Sequence, residues 1–259
     1  MAQAKLPVVL VIAGMDPSGG AGLVADIQTL TAHRVHPAAV TTAVTVQDTC
    51  NASAVEALDA AFVVAQARAI LDDMPVAAIK LGLLANGAIG QAVAALLEEH
   101  ADIPVVLDPV LVAGGGAALA EDSLVDVLRA DLLPRAVLTT PNGAECLALA
   151  PQAADIDDGA RLLQAHGGGF VLVTGGDQAT PTVRNLLLGP GDYRRAFDWP
   201  RLPGRFHGSG CTLAAAATAR IARGENVADA AAGAQQYTFE ALRAAMSLGR
   251  GQLIPTRSA

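Results

Sequence analysis

Two glycine-rich clusters hold most of the residues that could do chemistry. The first is Gly14-Met15-Asp16-Pro17-Ser18-Gly19-Gly20-Ala21-Gly22, and the second is His207-Gly208-Ser209-Gly210-Cys211-Thr212, ahead of an alanine-rich helical stretch. Glycine and serine at a helix start leave consecutive backbone N–H groups free, and the helix dipole directs them at an anion. The second cluster therefore predicts a nest for a transferring phosphoryl group or an oxyanion. A glycine N-cap without a ligand is the structural alternative.

Cys211 falls in the first turn of the helix predicted after the second cluster. A thiol at a helix N-terminus commonly has a lowered pKa, which predicts a reactive thiol here. A small buried core residue is the alternative, because free cysteine often has that role. Cys50 and Cys146 have no partners at metal-ligand spacing, and core or loop positions are expected for them.

The first cluster excludes one phosphate-binding motif and fits a second poorly. A Walker A loop needs Lys and then Ser or Thr after its last glycine, whereas Gly19 is followed by Gly20 and Ala21. A dinucleotide fingerprint needs its first glycine at the strand end, but several residues separate Gly20 from the apolar run that precedes it. We favour a loop that a ligand approaches closely, with Asp26 facing that ligand. A tight strand-to-helix turn without a ligand stays open.

The elements that must position these clusters follow an alternating strand and helix pattern. Continuous apolar runs predict buried parallel strands at 8–13, 38–46, 77–81, 105–107, 136–139 and 170–173, and an edge hairpin is expected from 182–188 and 192–197. Helical spacing predicts helices at 21–34, 61–73, 88–100, 123–132, 157–166, 211–223 and 227–245. This alternation predicts an α/β fold with a central, mostly parallel sheet flanked by helices on both faces. We expect one domain over 1–259.

Polar residues concentrate just after the predicted strands, where open α/β sheets bind their ligands. They are Gln47 and Asp48, Asp108, Asn142 with Glu145, and Asp177. Turn chemistry explains the glycines and prolines at these points, but it explains the recurrent acids and amides less well. His33 and His36 have no third ligand nearby, so we expect no dedicated metal-binding cage in the protein.

Composition limits the partners. The 259 residues are 52% hydrophobic and carry a net charge of −8, which offers no basic face for a nucleic acid. No segment reaches the roughly 18 uninterrupted apolar residues of a membrane span. The apolar run 8–13 is too short for most signal peptides, and the three scattered cysteines fit a reducing compartment, so a cytoplasmic protein is expected.

Six motifs in one order resemble hydroxymethylpyrimidine/phosphomethylpyrimidine kinases, the thiamine-biosynthesis branch of the ribokinase-like superfamily. Besides the two glycine clusters, they are Thr45-Val46-Gln47-Asp48-Thr49, Lys80-Leu81-Gly82, Asp108-Pro109-Val110, and Thr140-Pro141-Asn142 with Glu145. The resemblance covers nearly the whole chain. It implies a ribokinase-like fold and ATP- and Mg²⁺-dependent phosphorylation of 4-amino-5-hydroxymethyl-2-methylpyrimidine, then of its monophosphate. It also implies a homodimer.

The resemblance implies a role for each matching position. Gln47 would bind the aminopyrimidine, and Gly14, Asp26, Val110 and Leu83 would complete its pocket. Cys211 would be the catalytic base, and the backbone of Gly208, Ser209 and Gly210 would hold the transferring phosphate. The residues toward ATP and Mg²⁺ would be Asp108, Asn142, Glu145, Thr174 and Gly176.

The chain departs from the family pattern at several positions. Thr174 and Gln235 stand where lysines are common, Leu83 where methionine is common, and Met15 where serine is common. Two alternative functions stay open. One is a pyridoxal or pyridoxine kinase on the same scaffold. The other is a non-catalytic pyrimidine-binding protein, favoured by the two missing lysines and opposed by Cys211 and the intact glycine nest.

Overall fold

The computed structural model describes residues 6–258, and one nine-stranded sheet runs through them. The strands are β1 Val8–Met15, β2 His36–Gln47, β3 Ala52–Ala57, β4 Val76–Leu81, β5 Val105–Leu107, β6 Ala136–Thr139, β7 Phe170–Val173, β8 Thr182–Gly189 and β9 Tyr193–Pro200. Their order across the sheet is β3-β2-β1-β4-β5-β6-β7-β8-β9. Six central strands run parallel, whereas β3 at one edge and the β8–β9 hairpin at the other are antiparallel.

Helices cover both faces of this sheet. They are α1 Gly22–Ala32, α2 Ala60–Asp73, α3 Gly87–Glu99, α4 Asp122–Val127, α5 Gly143–Leu149, α6 Ile156–Gly167, α7 Ser209–Ala222 and α8 Val227–Arg243. Side chains alternate along β1: Leu10 and Ile12 pack in the core with α2 and α3, whereas Val9 and Val11 pack with α1 on the opposite face. Residues of α7 and α8 form a third cluster over the later strands. The α/β class with a mostly parallel sheet is confirmed.

The predicted elements all occur, with ends that differ by up to three residues. The edge hairpin is present, but the helix expected at 123–132 is α-helical only in α4 and continues as a π-helical turn, Leu128–Leu132. One strand, one α-helix and a single 3₁₀ turn, Leu133–Arg135, were not predicted. Strand β3 is short and partly exposed at the edge, so it lacks the continuous apolar run of a central strand. Helix α5 has 7 residues, too few for a clear helical period.

Two further sequence predictions concern the extent of the domain and the membrane. The prediction of one domain over 1–259 includes residues 1–5 and 259, which lie outside the described residues. Within residues 6–258, no helix combines the length and the apolar character needed to cross a bilayer.

Candidate active site

One cleft of about 710 Å³ opens where the parallel strands end. Because the carboxyl ends of parallel strands meet at one edge of the sheet, loops distant in sequence converge there. Thirteen of the fourteen predicted site residues line it: Gly14, Gln47, Leu83, Asp108, Val110, Asn142, Glu145, Thr174, Gly176, Gly208, Ser209, Gly210 and Cys211. Asp26 is the exception and lies beneath the cleft.

The loop between β1 and α1, residues 16–21, is shaped by Asp16. Its carboxylate accepts hydrogen bonds from the backbone N–H of Ser18 (2.8 Å) and of Ala21 (2.9 Å). Gly22 then begins α1 with a φ of +56°, and a Cβ there would lie 2.3 Å from the carbonyl oxygen of Gly14. The close turn of the backbone itself requires a glycine at this position. At Gly22, a tight strand-to-helix turn therefore explains the sequence better than the close approach of a ligand does.

A buried pair of Asp16, from the same loop, and His207 lies next to Gln47. His207 Nε2 lies 2.8 Å from Asp16 Oδ2, and both side chains are almost fully buried. Burial alone would raise the pKa of Asp16, but hydrogen bonds from His207 and Ser18 hold it below its ordinary value. The side-chain nitrogen of Gln47 lies 3.2 Å from the same ring atom, and the Thr45 hydroxyl donates to Gln47 Oε1 at 3.0 Å. His207 Nε2 carries the proton that it donates to Asp16, so it cannot also accept from Gln47, and Thr45 holds the Gln47 amide by a hydrogen bond at the mouth of the cleft.

Lys80 forms a buried charge cluster under the cleft floor. Its ammonium lies 3.0 Å from Asp26 Oδ2 and 3.6 Å from Asp108 Oδ2. Burial raises the pKa of Asp26 to about 6, although Lys80 acts in the opposite direction. Asp26 has no exposed surface, so it supports the site through Lys80 rather than lining the pocket as expected. A lysine inside an apolar strand was the sequence signal for this cluster, and no role was predicted from it.

Cys211 lies in the first turn of α7 and is half-buried. Burial raises the pKa of its thiol to about 12, the nearby Lys80 lowers it, and the negative charges of Asp108 and Asp26 raise it further. The expectation of a lowered pKa is therefore wrong, because burial and two carboxylates outweigh the effect of Lys80 and of a hydrogen bond from the backbone of Gly22. The thiol is protonated at neutral pH.

The nest itself has the expected form. Helix α7 begins at Ser209. Its N-cap, Gly208, has a φ of +72° and, as a glycine, has no side chain that could cap the helix end. A Cβ on Gly208 would lie 2.0 Å from the carbonyl oxygen of Gly20, so the two glycine clusters are in direct backbone contact. The first N–H groups of α7 face the cleft without a side-chain cap and are available to an anion.

Asn142 and Glu145 form a capping box at the start of α5. The side chain of each accepts a hydrogen bond from the backbone N–H of the other, both at 2.9 Å. Burial, followed by the negative charge of Asp108, raises the pKa of Glu145 to about 8. Glu145 is thus largely protonated at neutral pH and is engaged with its own helix, although it lines the cleft.

The far end of the cleft contains the positions where lysines were missing. Gln235 is buried, and its Oε1 accepts hydrogen bonds from Asn185 Nδ2 (2.9 Å) and Trp199 Nε1 (3.3 Å). Its amide nitrogen donates to the carbonyl of Ala231, so the side chain is satisfied within the protein. Arg201, which sequence reasoning missed, donates to the carbonyl of Gly176 at 3.1 Å and also holds neighbouring carbonyls of that loop.

Apolar side chains form the wall next to Gln47. Leu83 is almost fully buried, and its backbone carbonyl accepts a 2.6 Å hydrogen bond from Thr42. A Cβ on Gly14 would lie 2.8 Å from Leu83 Cδ2, so this glycine leaves space at the pocket wall. Val110 follows Asp108 in the loop after β5 and lines the same cleft. This wall of the cleft is therefore apolar.

Carboxylates in the cleft fit a metal held together with a ligand. Asp108 Oδ2 is buried and has no hydrogen-bond partner among the described residues. No group of three or more His, Cys, Asp or Glu side chains in the described part of the chain could hold a metal ion alone. Oxygen atoms of a bound phosphate would have to supply the remaining ligands.

Comparisons with known proteins agree on one family. A family model described as phosphomethylpyrimidine kinase matches residues 16–256. A hydroxymethylpyrimidine/phosphomethylpyrimidine kinase of Synechococcus elongatus is 38% identical, with 95% of each chain covered. A protein of the same name from Streptomyces coelicolor is 37% identical, covering 95% of this chain and 92% of its own.

Solved structures extend the likeness to two kinds of kinase. An ADP complex of Bacillus subtilis pyridoxal kinase superposes with a TM-score of 0.88 at 28% identity, covering 98% of each chain. A phosphomethylpyrimidine kinase from Clostridium difficile gives a TM-score of 0.78 at 28% identity, covering 92% of this chain and 99% of its own.

Proposed function

The chain belongs to the phosphomethylpyrimidine kinase family, and from that premise we propose that it phosphorylates a pyrimidine alcohol in thiamine biosynthesis. The reaction transfers the γ-phosphoryl group of ATP to the hydroxymethyl oxygen of 4-amino-5-hydroxymethyl-2-methylpyrimidine. A second transfer at the same site converts the monophosphate into the diphosphate. The observation that carries this proposal is that one cleft contains both the Gln47 amide and the nest of α7.

Gln47 supplies the recognition of the ring. A carboxamide has both donor and acceptor groups, which matches an amino group beside a ring nitrogen. Thr45 already restricts this amide through a hydrogen bond to Oε1, which reduces the side-chain entropy that is lost when substrate binds. Leu83 and Val110 provide apolar contacts for the faces of the ring.

The nest supplies most of the catalysis by the chain itself. Phosphoryl transfer depends mainly on positioning and on neutralising charge, and the free N–H groups of Ser209, Gly210 and Cys211 contribute to both. Mg²⁺, when bound with ATP, supplies further neutralisation of the phosphate charge. Asp108 fits that ion best, because its Oδ2 accepts no hydrogen bond and has the Lys80 ammonium only at 3.6 Å, whereas Glu145 is committed to its helix.

Cys211 is the group proposed to receive the proton of the acceptor hydroxyl. Only the thiolate form can accept this proton and become the thiol, and with a pKa of about 12 that form is a small fraction of the free enzyme at neutral pH. The proton moves late, when the new O–P bond has made the hydroxyl strongly acidic. Lys80 lies under the same floor and favours the thiolate. Even so, a smaller fraction of this side chain is ionised in the free enzyme than is usual for a cysteine at a helix N-terminus.

Pyridoxal phosphorylation is the second candidate activity. The similarity to a pyridoxal kinase structure at a TM-score of 0.88 favours it, and both substrates are six-membered aromatic rings that carry a hydroxymethyl group. A coupled ADP-release assay with purified protein, ATP, Mg²⁺ and each alcohol separates the two. The proposal expects turnover with the pyrimidine. ADP release with pyridoxal alone would support the second candidate, and release with neither would support a non-catalytic binding protein.

Two further parts of the proposal concern the protein's state in the cell. We propose a homodimer, as the family resemblance implies, and light scattering coupled to size-exclusion chromatography tests it. We propose a cytoplasmic location, which three unpaired cysteines support, one of them exposed Cys50. Fractionation of cells that express the tagged protein tests this location.

A further inference from the structure

Arg257 comes from the segment after α8 and is buried behind the two glycine clusters, with 8% of its surface exposed. Its guanidinium donates hydrogen bonds to five acceptors, namely the carbonyls of Gly19, Gly20 and His207, the amide oxygen of Gln28 and the hydroxyl of Thr212. The shortest include 2.5 Å to Gly20 and 2.8 Å to Thr212. A residue near the end of the chain thus contacts the loop after β1, helix α1 and the first turn of α7.

These contacts meet where the nest is built. Gly208 and Gly20 touch backbone to backbone, and Arg257 donates to the carbonyls on both sides of this contact, those of Gly20 and His207. Thr212 accepts from Arg257 and itself donates to the carbonyl of Gly208 at 2.8 Å. The guanidinium therefore fixes the position of the first cluster relative to the N-terminus of α7.

The five acceptors are all neutral. Within the described residues, Arg257 forms no ion pair with a carboxylate. The charges of Asp26 and Asp16 favour the guanidinium without pairing with it directly, so burying this cation is still costly in the free protein. Burial accordingly lowers the pKa of this guanidinium. An anion that binds at the adjacent nest would relieve that cost, because attraction between opposite charges is strong where water is excluded.

We propose that Arg257 is a positioning residue of the phosphate site, which holds the two glycine clusters in register and adds a buried positive charge beneath the nest. This proposal rests on the proposed kinase function for its role in the reaction. The effect that it predicts on nucleotide binding does not depend on which alcohol accepts the phosphoryl group. Affinity for a nucleotide should depend on Arg257 more strongly as the number of phosphate groups increases.

Calorimetric titrations with the ATP analogue AMP-PCP, ADP and adenosine test the proposal in Arg257→Gln and in wild type. Arg257→Gln should weaken AMP-PCP binding by about tenfold or more, ADP binding by less, and adenosine binding by less than about twofold. Arg250→Gln is the matched control. It removes an arginine from the same segment, but one whose side chain is 90% exposed, and it should leave all three affinities unchanged.

Equal weakening of all three ligands by Arg257→Gln would overturn the proposal, because a merely structural residue would disturb the nucleotide site as a whole. Unchanged affinities would also overturn it. If Arg257→Gln does not fold, Arg257→Lys keeps the charge but loses the planar fork. It should retain AMP-PCP affinity within about threefold while kcat falls, and weakening of all three ligands alike would again overturn the proposal. Absence of pyrimidine phosphorylation by wild type would refute the proposed function and leave the graded binding result standing.

Discussion

Replacing Lys80 with methionine tests the charge cluster beneath the cleft. Methionine keeps much of the length of the lysine side chain and removes its charge. Lys80 lies 3.0 Å from Asp26 and 3.6 Å from Asp108, and all three side chains are buried. The substitution therefore leaves two buried carboxylates near each other without their cation.

The expected loss of stability is large. Removing one partner of a buried ion pair typically costs about 3–5 kcal/mol. Even with Lys80 present, burial raises the pKa of Asp26 from its ordinary value of 3.8 to about 6. This shift corresponds to a free-energy cost of about 3 kcal/mol for the ionised carboxylate in the folded protein. In a domain of this size 1 kcal/mol changes Tm by about 2–4 °C, so Lys80→Met should lower Tm by about 6–20 °C at pH 8.5.

The loss should depend on pH with a defined sign. The pKa of Asp26 is higher in the folded state than in the unfolded state, so stability from this group is present at low pH and falls as pH rises through the folded pKa. Without Lys80 that pKa rises further. The Tm difference between Lys80→Met and wild type should therefore be smaller at pH 6 than at pH 8.5.

Calorimetric melts at both pH values test this, with Arg68→Met as the matched control. Arg68 pairs with Glu99 at 2.6 Å on the surface, where losing the ion pair should cost little at either pH. Adding Asp26→Asn to Lys80→Met should recover part of the lost Tm at pH 8.5, because it removes one uncompensated charge. An equal Tm loss at both pH values, without recovery in the double variant, would show that lost packing and not charge is responsible.

Three further predictions concern the cleft. Gln47→Ala should raise KM for the pyrimidine in steady-state kinetics by about 5- to 150-fold, which is equivalent to about 1–3 kcal/mol of binding free energy. The Tm of the variant should be unchanged. An unchanged KM would remove Gln47 from the substrate site. Cys211→Ser should lower kcat by about 10²–10⁴-fold while AMP-PCP still binds. It should also abolish the rise in kcat at alkaline pH that is expected from a thiol with a pKa of about 12. Full activity of this variant would exclude Cys211 as the base. In the free protein, iodoacetamide should modify exposed Cys50 before Cys211, as peptide mass spectrometry would detect, and the reverse order would contradict the raised thiol pKa.

Much of the fold could be predicted because it depends on local pattern. Buried parallel strands are continuous apolar runs, and β1 and β4 are clear examples. Strand β3 lacks that pattern because it is partly exposed. Its extended conformation is stabilised by antiparallel pairing with β2, which its own sequence does not reveal. Helix α5 is set mainly by its capping box, and the spacing of Asn142 and Glu145 was a visible signal of it.

The residues that line the cleft were predictable as a set more than as an arrangement of charges. Gln47 and Cys211 could be placed in the cleft because polar residues at strand ends and glycines before a helix are local signals, and their roles remain proposals. The raised pKa of Cys211 could not be predicted, because it depends on burial and on Asp108 and Asp26, which are distant in sequence. The contacts of Arg257 with Gly20 likewise join residues 237 positions apart, beyond the reach of any local pattern.

Mass spectrometry of the products formed by wild-type protein is the sharpest test of the proposed pyrimidine kinase activity. With ATP, Mg²⁺ and the pyrimidine alcohol, we expect a product heavier by one phosphoryl group and then one heavier by two. We also expect a kcat/KM for the pyrimidine above that for pyridoxal measured in parallel. A higher kcat/KM for pyridoxal, or ADP release without a phosphorylated pyrimidine, would refute the proposed activity.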